Sequence, residues 1–309
     1  TMVKKIFNLL IITLLASSVD LCAADFAAPI VPNSETVFSV LDTSKQDTVK
    51  KTGTKSVKKE RSWGNKKVTF ENFDQSYARA MKYYNNQLFL SAAGLFEELY
   101  PLSLGTPRAD TILFLFAHCY YMNGDYNMAA FHFRDYVRRY PSTKRTEEAF
   151  YYCVSAIYKT SPDYSLDQSN TEYAIEEIKA FIQAYPNNDH IEECNTMLDA
   201  LRVKLARKDL EILKLYYNTD RFEACQIAAK NFFNTYSYSP LMPEAVYYLV
   251  LNNYEYAKKS VEKKKEERYK ACLDACKRME LNHPDSKYFK ETNKIAQDVQ
   301  KILNKYNQK

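Results

Sequence analysis

The stretch Gly124-Asp125-Tyr126-Asn127-Met128-Ala129-Ala130-Phe131-His132-Phe133, followed by Tyr136 and closed by Tyr140-Pro141, decides how this chain folds. A glycine behind an apolar helix supplies the positive φ that ends it. Tyr126 opens the next helix, on which Ala129, Phe133 and Tyr136 recur at helical spacing along one face. A close crossing against the preceding helix needs a side chain as small as Ala129. Pro141 stops the second helix because it has no N–H to donate. The stretch spells two helices joined by a tight turn.

Working outward, the same pattern recurs in altered copies. Repeat one pairs a helix over about 73–86 with a second carrying Phe89, Ala92, Phe96 and Leu99 at the offsets of Tyr126, Ala129, Phe133 and Tyr136. Thr106-Pro107 is expected to cap the next helix, with the proline at its first position. That helix runs to Asn123, where the opening stretch begins. Repeat three starts near Thr146, and its turn is replaced by a long loop from Thr160 to Gln168. Ser169 and Glu172 have the spacing of a capping box, and Ala174, Ile178 and Phe181 lead to Tyr185-Pro186. Repeat four takes a long helix from His190 to Tyr217 and a second with Phe222, Cys225, Ala229 and Phe232. Repeat five begins at Pro243-Glu244 and continues through a charged stretch, Lys258–Arg268, to Tyr269, Cys272, Cys276, Met279 and Pro284. A last helix, Tyr288–Tyr306, caps the open end.

The spacings show true repetition. Pro141, Pro186 and Pro284 each fall 12 residues after a small residue, Ala129, Ala174 and Cys272 respectively. A single pair cannot bury its apolar face, so neighbours must stack. The expected fold is all-α: a superhelical solenoid of about five tetratricopeptide-like helical hairpins with a C-terminal capping helix, spanning residues 71–309.

Residues 1–24 read as a secretory signal, with Lys4-Lys5, a short apolar run and small residues up to Ala24. Two outcomes stand at its end: lipid attachment at Cys22, or cleavage after Ala24. Residues 25–70 lack helical period and read as a disordered basic tether. The formal charge is +5, and the tether holds nearly all of it, so the repeat region is close to neutral. A nucleic-acid reading needs a basic structured face and is excluded. The remaining cysteines show no metal spacing and read as small packing residues. No cofactor, metal or catalytic motif stands out; His118 is a groove histidine in this register.

In tetratricopeptide arrays the first helix of each pair lines the concave side. The register set by Gly124 turns inward Tyr77, Met81 and Tyr84, then Phe114, His118 and Tyr121, then Tyr151, Ser155 and Tyr158. This aromatic trough suits an extended or helical peptide, because rigid tyrosines give large contact area at low entropic cost. The matching positions of repeat four, Arg207, Leu210, Lys214 and Tyr217, are more charged and suit a folded partner.

The ordered combination of export signal, five repeats, the Leu166-Asp167-Gln168-Ser169-Asn170-Thr171 loop, Ala184-Tyr185-Pro186-Asn187, Glu192-Glu193-Cys194-Asn195 and the Lys/Glu-rich stretch before Tyr269 resembles the BamD (ComL) family, in its Bacteroidota-type form. The resemblance implies a lipid-anchored, non-enzymatic subunit of the machinery that folds β-barrels, on the periplasmic face of the outer membrane. It implies N-terminal repeats that receive unfolded outer-membrane proteins, and C-terminal repeats that dock onto the periplasmic domains of BamA alongside other assembly subunits. It also points to Lys204, in the linker helix Leu201–Ala206, as a basic contact to BamA. The rivals are an exported tetratricopeptide scaffold for cell division or envelope polysaccharide assembly, and a glycan-binding lipoprotein of the SusD kind.

Overall fold

A computed structural model describes residues 67–306; the signal at 1–24, Cys22 and the tether up to residue 66 lie outside the described residues. Eleven helices and no strand occur among the described residues: α1 (Phe73–Asn85), α2 (Phe89–Ser103), α3 (Ala109–Asn123), α4 (Tyr126–Arg139), α5 (Thr146–Thr160), α6 (Ser169–Ala184), α7 (Ile191–Asn218), α8 (Phe222–Thr235), α9 (Met242–Lys258), α10 (Glu262–Asn282) and α11 (Phe289–Tyr306). They form five hairpins in chain order, α1/α2 to α9/α10, with α11 packed on the last. The all-α helical solenoid read from the sequence is what the chain forms.

Three of the hairpins close by one and the same turn. Gly124, at φ 82°, donates its N–H to Tyr121 O while Asp125 donates to Tyr120 O. Gln87 at φ 60° and Leu88 repeat this with Tyr84 and Tyr83, and Asp220 at φ 56° and Arg221 with Tyr217 and Tyr216. This is the six-to-one and five-to-two bond pair that satisfies the last carbonyls of a helix, and it needs one left-handed residue. Only the second copy places glycine there; Gln87 and Asp220 carry the Cβ strain instead.

The second helix of every hairpin buries the same three positions. The small residue and those four and seven further on are Ala92/Phe96/Leu99, Ala129/Phe133/Tyr136, Ala174/Ile178/Phe181, Cys225/Ala229/Phe232 and Cys272/Cys276/Met279. None is more than 4% exposed. Spacing of four and seven keeps them on one stripe, and the small first member lets the helices cross closely. Tyr140, Tyr185 and His283, just before Pro141, Pro186 and Pro284, leave the helical region because proline crowds the residue ahead of it.

The core is not continuous. One apolar cluster runs from Val68 to Leu201 with Leu205 packed on it, the next begins at Ala206, and a third, from Val250 to Leu303, joins α9, α10 and α11. The first two lie along α7, the longest helix at 28 residues.

Two local expectations are corrected. Pro107 precedes α3 in a turn, because Thr106 Oγ1 accepts from Arg108 N and the helix starts only at Ala109. Ser169 is the first residue of α6 and not its cap; its N–H is taken by Asp167 Oδ1 at 3.0 Å, so no capping box forms. Just ahead of α1, Val68 is buried and donates to Glu98 Oε2 of α2 at 3.0 Å.

Candidate functional site

The first helices of hairpins one to three lie side by side, and their contacts recur at one fixed interval. Arg108 pairs with Asp74, Arg145 Nη1 donates to Thr111 Oγ1 at 2.8 Å, Tyr84 Oη meets His118 Nδ1 at 2.8 Å, and Tyr121 Oη meets Ser155 Oγ at 2.9 Å. Each pair is separated by 34 residues. His118 also packs edge-to-face on Tyr152, 34 further on, with ring centroids 5.0 Å apart. Tyr84, His118 and Tyr152 thus form one column across three repeats. A 34-residue interval is the tetratricopeptide period, and stacking equal units is what aligns equivalent side chains.

Tyr77, Met81, Tyr84, His118, Tyr121 and Tyr158 are half-buried, presenting part of each side chain to solvent. Two other expected groove residues are instead packing elements. Phe114 is 6% exposed, wedged against Phe133, Tyr136 and Tyr152. Tyr151 is 7% exposed; it stacks on His190 at 3.7 Å and its hydroxyl donates to Glu193 Oε2 at 2.6 Å. Ser155 is buried beneath Tyr121. Tyr152, Tyr126 and Lys159 were not foreseen. Lys159 Nζ sits 4.4 Å from the Tyr121 ring centre and 4.8 Å from that of Tyr126, a cation over two π faces. The signal for Tyr152 was available, because it stands one period after His118.

Electrostatically the column is a set of neutral hydrogen-bonding groups, with the Lys159 ammonium at its side. Burial lowers the His118 pKa and raises that of Tyr84, so near neutral pH the imidazole is uncharged and the phenol keeps its proton. With the ring proton on Nε2, Nδ1 accepts from Tyr84 Oη. Rings fixed in this way offer stacking faces and hydroxyls.

The expected docking cations are engaged within the fold. Lys204 Nζ donates to Ser161 Oγ at 2.7 Å and Ser161 O at 3.3 Å, tying α7 to the α5–α6 loop; burial lowers its pKa. Lys208 Nζ reaches Leu166 O of that loop at 2.9 Å. Arg207 bridges Glu211 at 2.8 Å and Glu244 at 3.7 Å, while Lys214 bridges Glu211 at 3.0 Å and also Glu244. These four residues close a ring that fastens α7 to α9. Beside it lie Tyr217, Tyr247, Tyr248 and Tyr288, with Tyr247 stacked on Tyr288 at 4.7 Å.

The six described cysteines are free and buried, and burial pushes the thiols of Cys119, Cys153 and Cys225 up to about 12. Among the described residues no His, Cys, Asp and Glu cluster could hold a metal ion, and no helix is long and apolar enough to cross a membrane.

Residues 71–225 match the model of the YfiO family, described as outer membrane lipoprotein. The chain is 23% identical over 154 residues to the outer membrane protein assembly factor BamD of Caulobacter vibrioides, and the match spans half of each sequence. Among solved structures it is similar to a kinesin light chain with nearly identical tetratricopeptide-like repeats from Podosopora anserina. That likeness has 11% identity and a TM-score of 0.30, over 68% of this chain and 96% of that one. It is also similar to the assembly chaperone of RpL4, with 12% identity and a TM-score of 0.25 over 77% and 98%. At those scores neither structure bears on function.

Proposed function

The chain belongs to the YfiO family of outer membrane lipoproteins, and from that membership we propose that it is a non-enzymatic adaptor in the assembly of outer-membrane β-barrel proteins. In this reading the trough on α1, α3 and α5 receives unfolded client segments on the periplasmic side, and the α7–α11 half docks onto the periplasmic domains of BamA. Cys22 carries the lipid anchor ahead of the tether.

The observation that supports client binding is the Tyr84–His118–Tyr152 column with Tyr121 beside it. It puts half-exposed rings and hydroxyls in register across three repeats, a surface that grips a flexible chain without demanding one sequence. For docking, Arg207 is the cation still 37% exposed at its side chain, whereas Lys214 and Lys204 are held inside and shape the surface.

The test uses the double variant Tyr84→Ala/Tyr121→Ala, which leaves buried Phe114 and Tyr151 intact. Peptides from unfolded barrel strands should bind it at least about tenfold more weakly, with unchanged helicity. Unchanged binding would remove the trough from the mechanism. For the other half, Arg207→Glu should lower co-purification with BamA, and an intact complex would count against that contact.

A further inference from the structure

Two openings lie along α7 on the side away from the ion-pair ring. The first, about 580 Å³, sits between α6 and α7, where Tyr173, Ile175 and Leu205 form its apolar lining. The second, about 320 Å³, starts one turn further along α7 and lies against α8, with Ile212, Tyr216 and Ile227 among its walls. At about 100° per residue, Leu205, Asp209, Ile212 and Tyr216 share one side of the helix, and Arg207, Glu211 and Lys214 the other. The openings flank the point where the apolar core divides between Leu205 and Ala206, and Ile212 there is 38% exposed. Ile227 is 62% exposed and Leu215, next to the floor, 57%.

The charged side chains that line the openings are acidic: Glu172 and Glu176 in the first and Asp209 in the second. Three cations stand close by and are engaged: Lys179 pairs with Glu176 at 2.7 Å, Arg134 lies over the Tyr173 ring, and Lys208 donates to Leu166 O of the α5–α6 loop. Glu172 and Asp209 are in no ion pair among the described residues.

We propose that this cleft is a docking groove for an amphipathic helix of a partner protein, with an aliphatic face and Lys or Arg on its flanks. Residues spaced by four, three and four along α7 make a straight apolar floor, the geometry in which a helix lays its own apolar stripe. Glu172 and Asp209, with no ion pair of their own, choose the sign of the flanks and disfavour acidic helices and anionic lipid surfaces. On α7 the groove lies opposite Arg207 and shares no residue with the trough, so it serves a different partner from those proposed above.

The test measures binding of the full chain to a helical peptide of about 18 residues, patterned with Leu on one face and Lys on the other, against the same pattern built from Leu and Glu. Fluorescence anisotropy is recorded at physiological salt, where surface charge is screened beyond about 8 Å. The Leu/Lys peptide should bind at least about tenfold more tightly than the Leu/Glu one. Ile227→Asp and Ile212→Asp alter exposed side chains and should keep the helical spectrum while weakening binding by a similar factor. Glu172→Lys with Glu176→Lys should shift preference to the Leu/Glu peptide, and Tyr84→Ala should change nothing here. Equal binding of both peptides would overturn the proposal, as would Leu/Lys binding that survives Ile227→Asp. Loss of a self-association in Ile227→Asp, seen by sedimentation, would assign the groove to a second copy of this chain and overturn it too.

Discussion

Hairpins one to three and the half that follows α6 are built from the same pattern but held together differently. In the first, the first helices of neighbouring repeats meet at a 34-residue interval through tyrosines, a histidine, short hydroxyl contacts and the Arg108–Asp74 pair. Past α6 the interval breaks. Tyr151 reaches Glu193 over 42 residues, and Asp220 reaches Lys259 over 39. The eight extra residues in the first of these are six more in the α5–α6 loop than in the α3–α4 turn and two more in α6 than in α4. Where the interval is lost, equivalent side chains no longer line up into columns, and charged pairs such as Arg207–Glu211–Lys214–Glu244 hold neighbours instead. A regular register makes a surface that repeats itself; an irregular one makes distinct local surfaces.

The sharpest way to break this contrast is to empty the core on either side of the Leu205/Ala206 division. Phe133→Ala and Phe232→Ala each remove a ring that is at most 1% exposed, and each should cost about 3–5 kcal/mol. Hydrogen exchange should speed up mainly in α1–α6 for the first and in α7–α11 for the second. If either substitution loosened both halves equally, the division at Leu205/Ala206 would have no energetic meaning. Next in size, Ala129→Leu and Cys225→Leu crowd the same crossing in different halves and should each cost about 1–3 kcal/mol by chemical denaturation. Only the first should also weaken peptide binding in the trough.

The left-handed turns give a smaller effect. Gln87→Gly should stabilise by about 1 kcal/mol, since a Cβ at φ 60° is strained. Asp220→Gly should gain less, because it also loses the 2.7 Å bond from Lys259, whereas Gly124→Ala should lose about 1 kcal/mol. The smallest effect is that of pH. Burial holds His118, His132 and His283 below the usual 6.5. The unfolded histidines take up protons first as pH falls, so their contribution is whole above about 6.5 and is lost as pH drops through it toward the folded values. Thermal midpoints should fall between about pH 7.5 and 5.5, with a shallower fall in His118→Asn. A flat profile would show that the trough histidine is indifferent to its burial.

The helices and their pairing were legible because punctuation and periodicity agreed: Gly124, the three X-Pro stops and the small-residue stripe each limit the chain locally. The trough was legible only in part. A register of one-in-three or one-in-four names a face, but a neighbouring hairpin covers much of that face, and local spacing cannot say how much. Phe114 and Tyr151 therefore passed for groove residues, while Tyr152 was overlooked although the repeat interval points to it. The Tyr-Tyr pairs at 83–84, 120–121 and 216–217, which end three first helices, are a turn signature that went unread because only one of the three turns carries glycine. The cations of α7 were readable as charged but not as occupied, since Ser161 and Glu244 come to them from 43 and 30 residues away.

That shortness of reach has a kinetic side. Lys204 to Ser161, at 43 residues, is as far along the chain as any hydrogen bond named above extends. A polypeptide delivered gradually from its N-terminal end can then finish each hairpin once little more than one further repeat has emerged. No late strand or distant terminus has to return and complete it. Low contact order of this kind favours fast folding and lets order spread from any nucleus to its neighbours. Order would then spread hairpin by hairpin as the chain is delivered.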